Sequence, residues 1–197
     1  MTPIELDSYI QEHGLRILCR DAFAYFLNHL KEYPGNYLEI GVYEGFGLRE
    51  LAMAYPRRTF FGVDPFIEDG HTTGHNGVPK GERMLVQREQ TYRNIDGITN
   101  IVFFEQTSRS WGTDRLTEML IQHMDISCVL VDGNHSYPEA SNDLRIALRC
   151  LTNGGVIWVD DQGLPEVAQS VKEFTSEHND RVSGIIGDRI FINNANA

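Results

Sequence analysis

VLVDGNHSYPEASNDLRIALRCLTNGGVIWVDD, residues 129–161, decides the fold. A short apolar run, Ile126–Val131, ends in Asp132, and a second, Val156–Val159, ends in Asp160 and Asp161. Between them Ala140, Leu144, Ala147, Leu148 and Leu151 recur at helical spacing. Ser136-Tyr137-Pro138-Glu139 reads as a capping box that sets His135 just before the helix, and Asn153-Gly154-Gly155 reads as its end. The pattern is strand, helix, strand. A right-handed crossover makes such strands parallel, and neighbouring strands lie about 4.8 Å apart. Three carboxylates then meet at the carboxyl edge of the sheet, where open α/β sheets bind ligands. Like charges this close do not all stay ionised without a partner. A hard divalent cation, which prefers oxygen ligands, is the simplest one. The bland alternative is helix capping and solvated loop ends, and the convergence of three acids on two strand ends weighs against it.

Upstream, Tyr37–Val42 reads as the first strand and runs into Gly41-Val42-Tyr43-Glu44-Gly45-Phe46-Gly47, with a helix implied by Leu48, Leu51, Ala52 and Tyr55. A glycine-rich turn between strand and helix lets a ligand approach the backbone closely. The second strand, Thr59–Val63, ends in Asp64. An acid about 20 residues beyond the glycine turn is placed for ribose hydroxyls. The glycines alone fit an empty tight turn equally well; with Asp64 the pattern points to a bound nucleoside. Pro65 to Arg83 is glycine-rich and aperiodic, and reads as a substrate lid. Its His71 and His75 match no metal-site spacing and read as solvated.

Met84 to Ile95 reads as a helix and Ile101–Phe104 as the third strand, which leaves Gln106, Thr107 and Ser108 at the ligand edge. Trp111 either stacks on a base or packs against the next helix, which Thr113 is placed to cap. Pro165 opens a last helix, and Val182–Ile186 and Arg189–Ile192 flank a Gly187-Asp188 hairpin turn. At the other end Thr2-Pro3-Ile4-Glu5 is a capping box, followed by a stripe through Leu15, Leu18, Ala22, Phe26 and Leu30 that Pro34-Gly35 stops. This extension either covers the sheet or pairs with another subunit. The expectation is one domain over residues 1–197, with a helical extension (1–36) and a Rossmann-like core (37–193). It is an α/β fold: a three-layer α/β/α sandwich on a mostly parallel seven-stranded sheet, with the C-terminal hairpin antiparallel.

Composition narrows the function. A net charge of −11, with no basic run, argues against nucleic acid or an anionic membrane as partner. The 41% hydrophobic and 23% charged residues are those of an ordinary globular domain. Cys19, Cys128 and Cys150 form no CxxC and read as buried thiols of a reducing compartment. With no signal-peptide pattern and no bilayer-length apolar run, the expected location is cytoplasmic.

YLEIGVYEGFG (37–47), FFGVDPF (60–66), DGNHSY (132–137) and GGVIWVDD (154–161) resemble class I S-adenosylmethionine-dependent methyltransferases. The likeness is nearest to the metal-dependent, macrocin-type sugar O-methyltransferases. The resemblance implies that Glu39, Gly41, Gly45 and Gly47 hold the methionine end of S-adenosylmethionine, Asp64 the ribose, and Gln106, Thr107 and Ser108 the adenine. It implies that Asp132, Asp160 and Asp161 ligate Mg2+ or Mn2+, with Asp132 also at the cofactor and in catalysis. His135 stands where catechol-type relatives carry a catalytic lysine, and is either the general base or a residue that orients a ligand. There are two departures: Asn134 replaces a frequent Asp, and Gly47 replaces a frequent Ser while still allowing a helix N-cap. The implied reaction is methyl transfer to a hydroxyl of a small molecule, a sugar or glycosylated metabolite, by a chain that is a monomer or a homo-oligomer. A catechol-type enzyme and a non-catalytic nucleoside-binding protein are the alternatives. A short-chain dehydrogenase needs Tyr-x-x-x-Lys, and no tyrosine here has lysine four residues later.

Overall fold

Every apolar run read from the sequence becomes a strand of one sheet, in the order β3-β2-β1-β4-β5-β7-β6. The structure, a computed structural model, describes residues 20–66, 80–121 and 123–192 and the isolated positions 8 and 11. Its strands are β1 (Asn36–Ile40), β2 (Phe60–Val63), β3 (Ile101–Phe104), β4 (Ile126–Val131), β5 (Leu151–Val159), β6 (Val182–Ile186) and β7 (Arg189–Ile192). Its helices are α1 (Arg20–Glu32), α2 (Phe46–Ala54), α3 (Lys80–Ile95), α4 (Ser108–Thr113), α5 (Arg115–Ile121), α6 (Tyr137–Cys150) and α7 (Pro165–Glu177). Strands β1 to β5 pair in parallel, and β7 runs antiparallel to both β5 and β6. The chain winds outward from β1 through β2 to β3, then returns to β4 on the other side of β1. Loops leaving β1 and β4 therefore diverge, and that reversal opens the crevice in which such sheets bind ligands.

Side-chain alternation decides what faces the crevice. Leu38, Ile40, Val129, Val131, Ile157 and Val159 join the core on the α6–α7 face. Tyr37, Cys128, Leu130, Val156 and Trp158 join the core under α1 and α2. The same alternation puts Glu39, Asp132 and Asp160 on the α1–α2 side. Helix α1 covers the sheet there: Ala22, Phe23, Phe26 and Leu30 are buried, and Phe26 meets Tyr37 edge-on at 5.1 Å. Burial pushes the thiols of Cys128 and Cys150 up to about 12, which leaves them inert packing groups.

Three local expectations are corrected, and the two alternatives for Trp111 are decided. Helix α6 stops at Cys150, and Asn153-Gly154-Gly155 lies inside β5; Gly154 at φ 78° absorbs a register irregularity opposite Ile126–Cys128. Ser136 makes no side-chain cap. Asn134 Oδ1 instead accepts from Ser136 N at 2.8 Å, and Glu166 Oε2 from Tyr137 N at 2.7 Å. Thr113 ends α4, and the next helix is capped by Asp114, whose Oδ1 accepts from Thr117 N at 3.0 Å. Trp111 is wholly buried beside Phe104, so it is a core residue with no face to offer a base. The hairpin strands match residue for residue. Lys80–Arg83 belong to α3; the rest of the expected lid past Phe66, with His71 and His75, and the Thr2–Glu5 box lie outside the described residues.

Candidate cofactor cleft and acidic corner

Three supports shape the turn after β1. Gly41 at φ 87° lies so close to the next strand exit that a Cβ there would sit 2.0 Å from the Asp132 carbonyl oxygen. Gly45 at φ 73° is the N-cap of α2, so Gly47 is a residue of the first helical turn and not the cap. A Cβ on Gly47 would meet nothing within 4 Å. Tyr43 holds φ 53°, a left-handed conformation unfavourable for a non-glycine residue. What holds it is a set of side-chain bonds from outside the turn. Asp64 Oδ2 accepts from Val42 N at 2.9 Å and Tyr43 N at 3.1 Å, while Oδ1 accepts from Phe66 N at 2.8 Å. Thr91 Oγ1 donates to the Tyr43 carbonyl, and Asn94 Nδ2 donates to that of Glu44 at 2.7 Å. Asp64 thus spends three of its roughly four acceptor positions on the backbone. Burial raises its pKa, and those three bonds oppose the rise. Thr91 and Asn94 carried no signal in the sequence, because their partners lie some fifty residues away in the chain.

The turn borders a cleft lined by Glu39, Gly41, Gly45, Gly47 and Asp132, with Phe23 reaching in from α1. Glu39 is fully buried at its floor; Tyr37 Oη donates to Glu39 Oε2 at 3.0 Å. Burial raises the Glu39 pKa from 4.5 to about 8, and nearby Asp132 and Asp64 add to the rise. The native state therefore keeps a proton that the unfolded chain loses. Between roughly pH 4.5 and 8 unfolding releases that proton, so rising pH lowers stability; above 8 both states are ionised and this group adds no slope. Glu39→Gln should gain Tm relative to wild type as pH rises through that window, then hold the gain. A difference in Tm that is flat with pH would show that Glu39 ionises freely in the fold.

At the β3 exit the expected adenine residues divide. Thr107 Oγ1 accepts from Ser110 N at 3.1 Å and caps α4. Ser108 Oγ donates to Asp143 Oδ1. Gln106, half-buried, keeps its side chain free of hydrogen bonds among the described residues.

At the β4 and β5 exits, ligand atoms of Asp132, His135 and Asp161 all lie within 4.8 Å of one another. His135 Nε2 is 3.2 Å from Asp161 Oδ2 and 3.7 Å from Asp132 Oδ1. A regular strand cannot aim Asp160 and Asp161 the same way. The chain turns at Asp161, φ 54°, and swings that carboxylate round to His135. Asp160 stays on the strand, its N–H donating to the Val131 carbonyl at 3.0 Å, outside the close group but near enough to raise the pKa of Asp132. Burial is the larger cause of that rise, to about 6, and His135 opposes it. His135 thus takes the third place of the triangle that the sequence suggested for Asp160. The two carboxylates, with Asp160 close by, are oxygen donors of the kind that suits a divalent cation such as magnesium or manganese, and the imidazole stands beside them. Asn134 is tied into the turn before α6 through Ser136 N.

A doubly wound sheet with a terminal antiparallel hairpin, a glycine turn over a cleft and an acid after β2 define the class I methyltransferase architecture. A family of methyltransferase domains (Methyltransf_24) matches residues 38–162, and the chain belongs to it. Residues 38–162 are a methyltransferase domain. A curated relative, "Uncharacterized protein R132" of Acanthamoeba polyphaga mimivirus, is 23% identical over 145 residues, 72% of this chain. The matched region spans 59% of that relative's length. Among solved structures, the O-methyltransferase NovP aligns with TM-score 0.62 at 18% identity, over 89% of this chain and 79% of its own. The calicheamicin methyltransferase CalS11 aligns with TM-score 0.62 at 16% identity, over 100% of this chain and 87% of its own. These likenesses concern the fold.

Proposed function

We propose that the protein transfers the methyl group of S-adenosylmethionine to a hydroxyl of a small molecule, a sugar or sugar-bearing metabolite, with a divalent cation at the acidic corner. The observation that carries this reading is the double place of Asp132, which lines the cleft and belongs to the triangle with His135 and Asp161. A methyl donor and an acceptor oxygen held in these two sites would be neighbours. Sugar is preferred because the sequence motifs resemble the sugar-type enzymes; a fold relative is described as a TDP-rhamnose 3′-O-methyltransferase.

Glu39, the turn 41–47, Asp64 and Gln106 are the residues that would hold the cofactor, which supplies an electrophilic methyl on a sulfonium. Asp132 and Asp161, with Asp160 close by, would hold the cation, which makes a hydroxyl near it more acidic. His135 Nε2 accepts the hydroxyl proton, and the two carboxylates beside it stabilise the resulting imidazolium. Asn134 is no base, since its side chain is an amide engaged with the backbone.

Two measurements test this. Calorimetry with S-adenosylhomocysteine should show binding that survives chelation of metal. A radiolabelled methyl-transfer screen over free and nucleotide-linked sugars should give a product whose formation stops with chelator and returns with Mg2+ or Mn2+. Full-rate transfer by a chelated preparation would remove the cation from the mechanism, and transfer to amines only would remove the hydroxyl acceptor.

A further inference from the structure

One buried carboxyl is used by none of the roles above. Asp143, in the second turn of α6, is 2% exposed. Its Oδ1 accepts from Ser108 Oγ and, at 3.4 Å, from Asn142 Nδ2. Its Oδ2 lies over Gly133, where a Cβ would approach it to 2.8 Å. Burial holds its pKa up near 7, and the Ser108 and Asn142 bonds pull it down. A carboxyl in such surroundings is costly to keep unless its contacts matter to the fold or the site.

Its position says which. Ser108 opens α4 directly after Gln106 and Thr107, on the nucleobase side. Gly133 follows Asp132 at the acidic corner, and its nitrogen packs against Gly41 of the cofactor turn. Strands β2 and β1 stand between β3 and β4, so the two exits are about 14 Å apart and share no ladder. Asp143 reaches both. The packing around it is close: a Cβ on Gly112 would lie 2.6 Å from Ile146, and Arg149 Nη1 donates to the Gly112 carbonyl at 3.0 Å. Helix α6 therefore offers a rigid base from which one side chain can fix two loops.

We propose that Asp143 is a positioning residue that registers the nucleobase-side loop, through Ser108, against the acidic corner, through Gly133. A cofactor lying between these loops is then gripped at its adenine end at a set distance from Asp132. Ser108 consequently serves the adenine site through Asp143, and direct side-chain recognition of the base falls to Gln106.

The inference rests on cofactor binding in this cleft, and the test separates the two. S-adenosylhomocysteine is titrated calorimetrically into wild type, Ser108→Ala, Asp143→Asn, Asp143→Ala, Gly133→Ala and the pairs S108A/D143A and G133A/D143A, with Tm measured for each. Ser108→Ala and Asp143→Ala should each weaken binding about tenfold, the size of one lost buried hydrogen bond. The S108A/D143A pair should be no worse than D143A alone. Gly133→Ala should weaken binding in the wild-type background and have no further effect with D143A, where the new methyl has space. Asp143→Asn should bind within about threefold of wild type, because its amide oxygen still accepts from Ser108; a merely structural loss would follow Tm and show no such rescue. If Asp143→Ala does not fold, the contrast between Ser108→Ala and Asp143→Asn decides. Additive losses in both pairs, or unchanged affinity in Ser108→Ala, overturn the inference. Failure of wild type to bind overturns the cofactor reading and this one together.

Discussion

Gly41→Ala is expected to abolish cofactor binding and to lower Tm by about 10 °C. Two costs combine. At φ 87° an L side chain loses about 1–2 kcal/mol relative to glycine. The larger cost is contact: the new Cβ would stand 2.0 Å from the Asp132 carbonyl oxygen and 2.5 Å from its carbon. Both are backbone atoms and cannot rotate away, so overpacking adds about 1–3 kcal/mol. A total of roughly 2–5 kcal/mol is a large share of the ordinary stability of a domain. For a chain of this length it corresponds to about 10 °C. Relief requires β1 and β4 to part at their carboxyl ends, which moves Asp132 away from Glu39 and opens the cleft. Gly47→Ala, whose Cβ meets nothing within 4 Å, is the control and should keep both stability and fold. Thermal unfolding and S-adenosylhomocysteine titration of the two variants check this. Normal binding by Gly41→Ala would mean that the turn does not pack on Asp132 as described.

The strands and their order of appearance were legible in the sequence because buried parallel strands are short apolar runs that end in turn residues. Val182–Ile186 and Arg189–Ile192 were legible to the residue, since Gly187-Asp188 punctuates them. Where the reading failed, a distant partner outbid a local signal. Ser136 has the residues of a capping box, but Asn134 takes the Ser136 amide that Glu139 would have capped, and the Glu139 amide bonds to the Ser136 carbonyl. Asn153-Gly154-Gly155 has the residues of a helix stop, but Ile126 offers Leu151 a strand partner at once. Local grammar states what a segment can do; neighbours decide which option is taken.

The site shows the same division. Glu39, Gly41, Asp64, Asp132 and Asp161 could be singled out because they stand at strand ends, and strand ends can be read; the structure puts Glu39, Gly41 and Asp132 on the cleft and Asp161 beside His135. Alternation requires a turn at Asp161 if both acids are to face Asp132; the structure has the turn, which brings the Asp161 carboxylate to His135 while Asp160 stays on the strand. The side chains that hold the first turn in shape, Thr91 and Asn94, and the carboxyl beneath the second, Asp143, were not legible. They lie within helices, among residues of the same type that only face solvent. Phe23, from the helical extension, joins the core under α1 and α2 and also lines the cleft.

Asp132→Asn should lower methyl transfer by about 10²–10³ while S-adenosylhomocysteine binding changes by no more than about threefold. The substitution preserves shape, so the Asp132 carbonyl keeps its place over Gly41 and the cleft keeps its wall. What is lost is a negative charge at the meeting point of cofactor cleft and acidic corner. Without it the proposed imidazolium of His135 would keep the Asp161 carboxylate, at 3.2 Å, but lose that of Asp132, and the proposed cation would lose its most buried carboxylate. General-base action contributes about 10²–10⁴ to such reactions, and one member of the triangle carries a substantial part of that. The loss should fall on kcat and kcat/KM for the cofactor alike, the mark of an interaction made in the transition state. Asp161→Asn should follow the same pattern less severely, because that carboxylate is about half exposed and water can replace it. The ranking separates the triangle from a simple string of acids: if Asp160→Asn is the most damaging of the three and His135→Ala leaves kcat intact, the chemistry runs through Asp160 and the His135 arrangement is only structural.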